Sequence, residues 1–189
     1  MADVPTPPDP HGLESGARLR DGTAVRLRPV RPGDERLLQE LAARMSPEDM
    51  RLRFFAPLHG LPQALAARLS HPDGEREMAL LAECDGAALG VVRYAAEPDR
   101  RRAEFAIAVR SDWKGRGLGY LLMSRLIEIA AARGIGELVG EVLHENRRML
   151  EMCRTFGFSL ATDPDDAALV VVRKRLDNAD ATVRSGSGK

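Results

Sequence analysis

The stretch from residue 102 to residue 133 constrains the fold of this chain more than any other. Residues 103–109 alternate as in a half-buried strand, and a glycine-rich segment, Lys114-Gly115-Arg116-Gly117-Leu118-Gly119, follows closely and opens a helix. Glycines allow a tight turn with uncovered N–H groups, and a helix N-terminus adds unpaired donors and the positive end of its dipole. Because Arg110, Lys114 and Arg116 surround this turn, the segment predicts a site for an anionic phosphate group.

Length and composition limit the remaining possibilities. The 189 residues suffice for one well-buried domain, and 44% hydrophobic with 30% charged residues is typical of a globular protein. Lysine plus arginine and aspartate plus glutamate both number 28, so there is no basic excess to favour a nucleic-acid or anionic-membrane partner. No apolar run reaches the ~18–20 residues of a membrane span. The two cysteines form no disulfide framework and residues 1–16 lack an apolar signal segment, so we expect a cytoplasmic protein.

Hydrophobic periodicity and turn residues predict a mixed α/β fold of the order β-α-α-β-β-β-α-β-α-β. Asp85-Gly86 marks a hairpin, and Ser46-Pro47 with Asp49 marks a helix start with a capping box. The predicted strands are residues 24–30, 78–84, 87–95, 101–109, 137–143 and 167–174. We expect a flexible tail over residues 1–21, one domain over 22–176 and a second flexible tail over 177–189.

This element order, with its glycine-rich loop after the fourth strand, resembles the GNAT family of acetyl-CoA-dependent N-acetyltransferases. The family signature is Gln/Arg-x-x-Gly-x-Gly/Ala, and here Lys114, Gly117 and Gly119 stand at its first, fourth and sixth positions. Trp113 and the Asn146 to Gly157-Phe158 segment also match, so the resemblance covers about residues 24–175. It implies the GNAT fold of about seven mainly antiparallel strands, with a splayed parallel central pair.

The resemblance also implies where acetyl-CoA binds. Main-chain N–H groups of the loop, together with Arg116, would hold the pyrophosphate, and strand residues before the loop would pair with the pantetheine arm. Asn146 would bond to the same arm. The implied cofactor-binding residues are Ile107, Ala108, Val109, Lys114, Gly115, Arg116, Gly117, Leu118, Gly119 and Asn146, and we expect no metal.

Two glutamates are candidates for the general base. A lysine ammonium has a pKa of ~10.4, so its proton must be taken near neutral pH before the amine can react. Alternation places Glu104 with Ala106 and Ala108 on one strand face, which leaves room for a substrate, and lysine acetyltransferases of this family often have a glutamate there. The alternative is a solvent-facing glutamate paired with Arg101 or Arg93. Glu141, in the partner strand, is the second candidate.

Cys153 stands where many GNAT enzymes carry a tyrosine that protonates the departing thiolate. A thiol can donate a proton, and it can equally pack as a small apolar residue, since cysteine is among the most buried residue types. The mechanism we predict is direct attack of the amine on the thioester in a ternary complex, with N–H groups near Val109 polarising the carbonyl.

Residues 45–55, which contain an Arg-x-Arg-Phe-Phe stretch, are the segment that bears on the identity of the acceptor. This stretch resembles the catalytic domain of bacterial protein-lysine acetyltransferases, which modify acyl-CoA synthetases and similar proteins, and we therefore expect a protein lysine as acceptor. The alternatives are a small-molecule amine acetyltransferase and a non-catalytic acetyl-CoA-binding module. Either a monomer or a homodimer is compatible with the sequence.

Overall fold

A computed structural model describes residues 12–176. The strands within this range are β1 (Ser15–Arg18), β2 (Ala24–Pro29), β3 (Glu77–Cys84), β4 (Ala87–Ala96), β5 (Arg102–Val109), β6 (Glu137–Leu143), β7 (Ser159–Thr162) and β8 (Leu169–Arg175). The α-helices are α1 (Glu35–Ala43), α2 (Pro47–Phe54), α3 (Gln63–Leu69), α4 (Leu118–Ala132) and α5 (Arg147–Thr155), with a 3-10 turn at Ser111–Trp113. No helix in this range is long and apolar enough to span a membrane.

The strands form one mixed sheet in the order β1-β2-β3-β4-β5-β6-β8-β7. All neighbours are antiparallel except β5 and β6, so the mixed α/β fold with a parallel central pair is confirmed. The sheet has eight strands rather than the predicted seven or so. The short hairpin partner β7 was not predicted, because Ser159–Thr162 has neither β-branched enrichment nor clear alternation.

The predicted N-terminal tail is partly structured. Residues 15–18 form β1 and pair with β2 at the sheet edge, and Leu19 is buried in the core, so the prediction of flexibility is wrong for this segment. The prediction relied on composition, which carries no information about main-chain pairing, and it is this pairing with β2 that orders the segment. The rest of the two predicted tails, residues 1–11 and 177–189, lies outside the described residues.

The two central strands separate after a short parallel contact. Residues 102–104 of β5 pair with residues 137–139 of β6, whereas β5 continues to pair with β4, and β6 with β8, along their full lengths. At the point of separation Gly140 faces the ring of Phe105, and a Cβ added to Gly140 would lie 2.7 Å from Phe105 Cε1. The predicted splay is therefore confirmed, and an aromatic ring fills one side of it.

Helices cover both faces of the sheet. One hydrophobic cluster packs α4 and α5 on the face that carries Phe105, and a second packs α1 and α3 on the face that carries Ala108. The alternation predicted for β5 is confirmed by this division of its side chains. At the start of α1, a buried ion pair joins Arg28 to Asp34 at 2.8 Å, and Arg28 also reaches Glu83 at 3.0 Å.

Candidate active site

A cleft of about 520 Å³ opens where β5 and β6 diverge. Its walls are the diverging strands, the glycine-rich loop with the start of α4, the last turn of α2 and the first turns of α5. Parts of α2, α4 and α5 and the glycine-rich loop thus surround a gap between β5 and β6. The facing edges of these two strands do not pair with each other beyond residues 104 and 139. Such a gap has the shape to receive an extended ligand as if it were an additional strand.

The glycine-rich loop presents main-chain donors to this cleft. Gly115 and Gly117 have φ of 80° and 90°, a region that side chains other than glycine rarely adopt. Gly117 caps α4 without a side-chain hydrogen bond, so the N–H groups of the first helical turn have no capping partner. Leu118 is buried in the core and anchors the helix, which leaves its N–H group as the part that can contact a ligand.

The three cations predicted around the loop each have an acidic partner. Arg110 pairs with Asp112 at 2.7 Å, and Arg116 reaches Asp21 at 3.4 Å while stacking on Trp113 at 4.6 Å. Lys114 forms an ion pair with Asp49 of α2. The sequence predicted the cations but not the carboxylates, since Asp21 and Asp49 are distant in the chain.

Asp49 connects α2 to the loop. Its N–H donates to Ser46 Oγ at 3.1 Å, as predicted for a helix cap, but its carboxylate accepts from Ser111 and Lys114 instead of closing a capping box. Ser111 Oγ in turn accepts from the Ser46 N–H at 2.7 Å. Burial favours a higher pKa for Asp49, but the hydrogen bonds from Lys114 and Ser111 outweigh it and hold the pKa below its usual value.

Three further arginines line the cleft, and the sequence did not identify them. They are Arg20, whose side chain lies 3.6 Å from a Cβ placed on Gly117, and Arg147 and Arg148 at the start of α5. None of the three forms an ion pair with a residue in the range 12–176. They are therefore better placed than Arg110 to neutralise a phosphate group.

The main chain of β5 supplies polar groups along the cleft. The Arg110 N–H donates to Leu89 O, and Arg102 O accepts from Glu97, so even-numbered residues of this strand point their main-chain groups toward β4. By alternation, Ile107 and Val109 point theirs into the gap beside β6, whereas those of Ala108 face β4. Ile107 and Val109 are thus the two residues of the predicted trio that can pair with a ligand in the gap.

Asn146 also lines the cleft and caps α5. Its side-chain oxygen accepts from the Met149 N–H at 3.2 Å, which leaves the amide NH₂ group free to donate. The structure therefore brings together eight of the ten predicted cofactor-binding residues. Arg116 and Leu118 lie beside the cleft without lining it.

Glu104 lines the cleft from β5, and its side chain is exposed. It makes no ion pair or hydrogen bond with the part of the chain that the structure describes. The alternative to a catalytic role was an ion pair of Glu104 with Arg93 or Arg101. Arg93 instead pairs with Glu77 at 3.1 Å, and Arg101 pairs with Asp99 at 3.4 Å. Glu104 is consequently a carboxylate that remains available to a ligand.

Glu141 lines the same cleft from β6. Glu104 stands opposite Val139 in the parallel pair, so Glu104, Val139 and Glu141 project from the same face of the sheet. Both carboxylates predicted as candidates therefore lie in one cleft, on either side of the gap.

Cys153 lies in the hydrophobic core and not among the residues that line the cleft. Burial raises the pKa of its thiol to about 12, with Arg154 opposing the shift. The structure thus places Cys153 apart from the other two candidate catalytic residues, Glu104 and Glu141. Of the two roles that the sequence left open, packing is the one that these surroundings favour.

Three side chains from α2, its C-terminal end and α4 that were not among the predicted site residues also line the cleft. Phe55, at the end of α2, is 48% exposed and has a φ of 56°, a strained conformation for a bulky residue. Arg53 lines the cleft beside it, and Tyr120 of α4 lines it while packing on Phe156 at 5.7 Å.

Comparison with known proteins decides the family. The model of the acetyltransferase (GNAT) family matches residues 38–158, which include the glycine-rich loop and every cleft-lining residue except Arg20. The chain belongs to the GNAT family. The resemblance drawn from the sequence is therefore confirmed, and the protein is an acetyltransferase with acetyl-CoA as its cosubstrate.

Individual GNAT relatives extend over most of the chain. Acetyltransferase PA5475 of Pseudomonas aeruginosa is 32% identical over 170 residues, which are 88% of this chain and 90% of the relative. The GNAT domain of S. lividans PAT is 28% identical, with a TM-score of 0.83 over 89% of this chain and 100% of that domain. RimL, a ribosomal L7/L12 alpha-N-protein acetyltransferase solved in complex with coenzyme A, shares the fold at 17% identity, with a TM-score of 0.67 over 82% of this chain and 95% of that chain.

The GNAT cleft of this chain fits the cosubstrate of its family. The uncapped N-terminus of α4 and the nearby arginines suit the phosphates, and the free edge of β5 suits the amide groups of the pantetheine arm. Gly117 has only the Arg20 side chain near its missing Cβ, so the main chain can approach a phosphate closely. Within residues 12–176 no group of three or more acidic, histidine or cysteine side chains is arranged to hold a metal ion.

Proposed function

We propose that this GNAT enzyme transfers the acetyl group of acetyl-CoA to a lysine side chain of a protein, with Glu104 as the general base. The observation that carries the proposal is the carboxylate of Glu104, which lines the cleft and makes no ion pair or hydrogen bond with residues 12–176. Acetyl-CoA supplies an activated acetyl thioester. The residues of this chain bind and orient the two substrates and move one proton.

The position of Glu104 along β5 suits a base. It precedes Ile107 by three residues, which is about 10 Å along a strand. A ligand held by the loop and by Ile107 and Val109 therefore leaves the Glu104 end of the cleft open to the acceptor. There Glu104 takes a proton from the ammonium group, directly or through a water, and the lone pair so released attacks the thioester carbonyl.

Main-chain N–H groups support the acyl transfer. Ile107 and Val109 direct their N–H groups into the gap, where they can hydrogen-bond a carbonyl oxygen as it gains negative charge. The thiolate of coenzyme A is a tolerable leaving group and does not need a dedicated acid. This agrees with the placement of Cys153 in the core, away from the cleft.

Two features support a protein acceptor over a polyamine. A polycationic amine is attracted by several free carboxylates. The cleft holds Glu104, Glu141 and Glu151, but α2 adds only Glu48 and Asp49, and Asp49 is bound to Lys114 and Ser111. The exposed ring of Phe55 at the rim gives a protein surface something apolar to contact. An acyl-CoA synthetase is the candidate partner that the Arg-x-Arg-Phe-Phe resemblance suggests.

The proposal is tested with isotope-labelled acetyl-CoA and a dialysed bacterial lysate, alongside a purified acyl-CoA synthetase. Mass spectrometry should find labelled lysines with the unaltered enzyme and far fewer with Glu104→Gln. Label recovered only in added small amines would contradict the protein acceptor. Binding of acetyl-CoA without transfer to any amine would contradict the enzymatic role.

A further inference from the structure

Arg53 of α2 and Glu104 of β5 carry opposite charges in one cleft, and neither is ion-paired within the part of the chain that the structure describes. We propose that Arg53 binds an anionic group of the acceptor, so that the enzyme selects amines that have a carboxylate nearby. The inference rests on the proposed function, since it concerns the acceptor of that reaction. In a protein, the acceptor is then a lysine with an aspartate or glutamate within one or two residues.

The local structure holds the Arg53 guanidinium at the cleft. Arg53 lies in the last turn of α2, and its guanidinium carbon stacks 4.7 Å from the centre of the Phe54 ring. Its side chain lines the cleft on one side and on the other a small pocket formed with residues of α1 and α3. Stacking and enclosure fix the direction of the group, so less conformational entropy is lost when it binds an anion.

Arg53 has no ion-pair partner among the described residues. It forms no ion pair and no hydrogen bond with any residue of the range 12–176. Two other arginines of low exposure are paired: Arg28 bonds Asp34 and Glu83, and Arg93 bonds Glu77 at 3.1 Å. A guanidinium carries five donors, and Arg53 is half-buried with none of its nitrogens shut off from solvent, so its donors are open to a ligand in the cleft. An anion delivered by the substrate would supply the missing acceptor.

The electrostatic surroundings favour such an anion. Burial and the neighbouring charge of Arg93 lower the pKa of Arg53 to about 10, and Glu104 partly offsets them. The group remains a cation at neutral pH. Arg93 repels the Arg53 cation, so a negative charge bound next to Arg53 is attracted by both arginines.

The pair of charges defines the class of acceptor. Glu104 attracts the ammonium group that will lose its proton, and Arg53, beyond ion-pair distance from Glu104, attracts a negative group a short way from that ammonium. A lysine with an acidic neighbour offers both charges, and so does a free amino acid. The recognised chemistry is the same in the two sources, and the acidic neighbour within a protein is the one that accords with the exposed rim at Phe55.

The test compares matched acceptors on one enzyme. One arm uses peptides with a single central lysine, in which positions within two residues carry aspartate or glutamate in one set and asparagine or glutamine in the other. A second arm uses free amino acids and their amides. Acetylation from labelled acetyl-CoA is measured by mass spectrometry as kcat/KM. The unaltered enzyme should prefer the acidic member of a pair by about tenfold or more, the value of a charge-assisted hydrogen bond.

Substitution of Arg53 should abolish that preference. Arg53→Gln should bring the ratio of acidic to neutral acceptor close to one, while Arg53→Lys retains part of it and Arg36→Gln, a change at an exposed arginine of α1, leaves it intact. Since the ratio is measured on one enzyme preparation, a partial loss of folded protein cancels from it. Equal rates with both sets in the unaltered enzyme, or a preference that survives in Arg53→Gln, would overturn the inference.

The two proposals fail in different ways. Acetylation of neutral and acidic lysine peptides at equal rates would leave lysine acetylation standing and remove the role of Arg53. Acetylation of free amino acids alone, with an acid-to-amide preference that Arg53→Gln removes, would support Arg53 and contradict the protein acceptor.

Discussion

The ring of Phe105 occupies the space that a side chain at Gly140 would need. Phe105 lies in β5 and Gly140 in β6, at the first residues beyond the parallel pairing of the two strands, and the ring also packs on Phe158 at 5.3 Å. The opening of the cleft and the packing of the core therefore meet at one contact. A glycine in β6 lets the ring fill the opening on the α4 side, while the opposite side stays free for ligands.

Gly140→Ala should destabilise the fold. An added Cβ would stand 2.7 Å from the Phe105 ring, and overpacking of this kind costs about 1–3 kcal/mol. Thermal unfolding should show a melting temperature lower by several degrees. Adding Phe105→Leu should restore part of the loss, and Gly16→Ala, where a Cβ meets no atom within 4 Å, is the matched control. A Gly140→Ala protein as stable as the Gly16→Ala control would contradict this account of the splay.

Gly117→Val should abolish acetyl-CoA binding. Gly117 has a φ of 90°, which a β-branched residue does not adopt without strain, and its side chain would stand between the helix N-terminus and a phosphate. Isothermal titration with acetyl-CoA measures the effect. Gly74→Val is the control, since Gly74 has a φ of 76° in a loop outside the cleft and should bind normally. Normal titration by Gly117→Val would mean that the phosphates bind elsewhere.

Asp49 should make the stability of the protein depend on pH. Its pKa in the folded state is lowered, because the bonds from Lys114 and Ser111 outweigh the opposing effect of burial. A carboxylate whose pKa is lowered by folding stabilises the folded state at pH values above its pKa in the unfolded chain. This contribution is lost as the pH falls through the pKa of the folded state. The difference in melting temperature between the unaltered protein and Asp49→Asn should therefore be full at pH 6 and should shrink below about pH 4.

A control separates this effect from general acid unfolding. Glu48→Gln changes an exposed neighbour on the same helical turn and should show a small difference without that pH profile. An Asp49→Asn difference that stays constant from pH 6 to pH 3 would show that the ion pair with Lys114 does not contribute to stability.

Cys153 should be dispensable for turnover. Its thiol is buried and its pKa is raised to about 12, so it is protonated and inaccessible at neutral pH. Cys153→Ala should keep kcat within about threefold, and an aromatic disulfide reagent should titrate only Cys84 in the native protein and both thiols after denaturation. A loss of kcat by about a hundredfold in Cys153→Ala would restore the proton-donor role.

Local patterns in the sequence were enough to predict the site's framework. The alternation of β5 and the spacing of Gly115 and Gly117 are properties of short segments, and both were found where the structure has them. The start of α2 at Ser46 was likewise predictable, because a cap depends on residues three positions apart. These features need no information about distant contacts.

Long-range pairing could not be predicted in the same way. Nothing near Lys114 in the chain shows that it meets Asp49, 65 residues earlier, or that β1 attaches to the sheet edge. The different surroundings of the two α2 arginines were hidden for the same reason: an Arg-x-Arg-Phe-Phe stretch does not distinguish Arg51, which pairs with Glu145 at 2.6 Å, from Arg53, which has no ion-pair or hydrogen-bond partner in the range 12–176.

The central claim is that Glu104 is the general base of a GNAT acetyltransferase, and Glu104→Gln tests it most directly. The measurement is kcat and acetyl-CoA affinity for this variant and for the exposed control Glu48→Gln, with any lysine peptide that the unaltered enzyme acetylates. We predict that Glu104→Gln lowers kcat by about 10²–10⁴ with an unchanged dissociation constant for acetyl-CoA, and that the loss is smaller at high pH, where the amine is already deprotonated. A Glu104→Gln enzyme with unchanged kcat at pH 7 would contradict the claim and leave Glu141, across the cleft, as the remaining candidate.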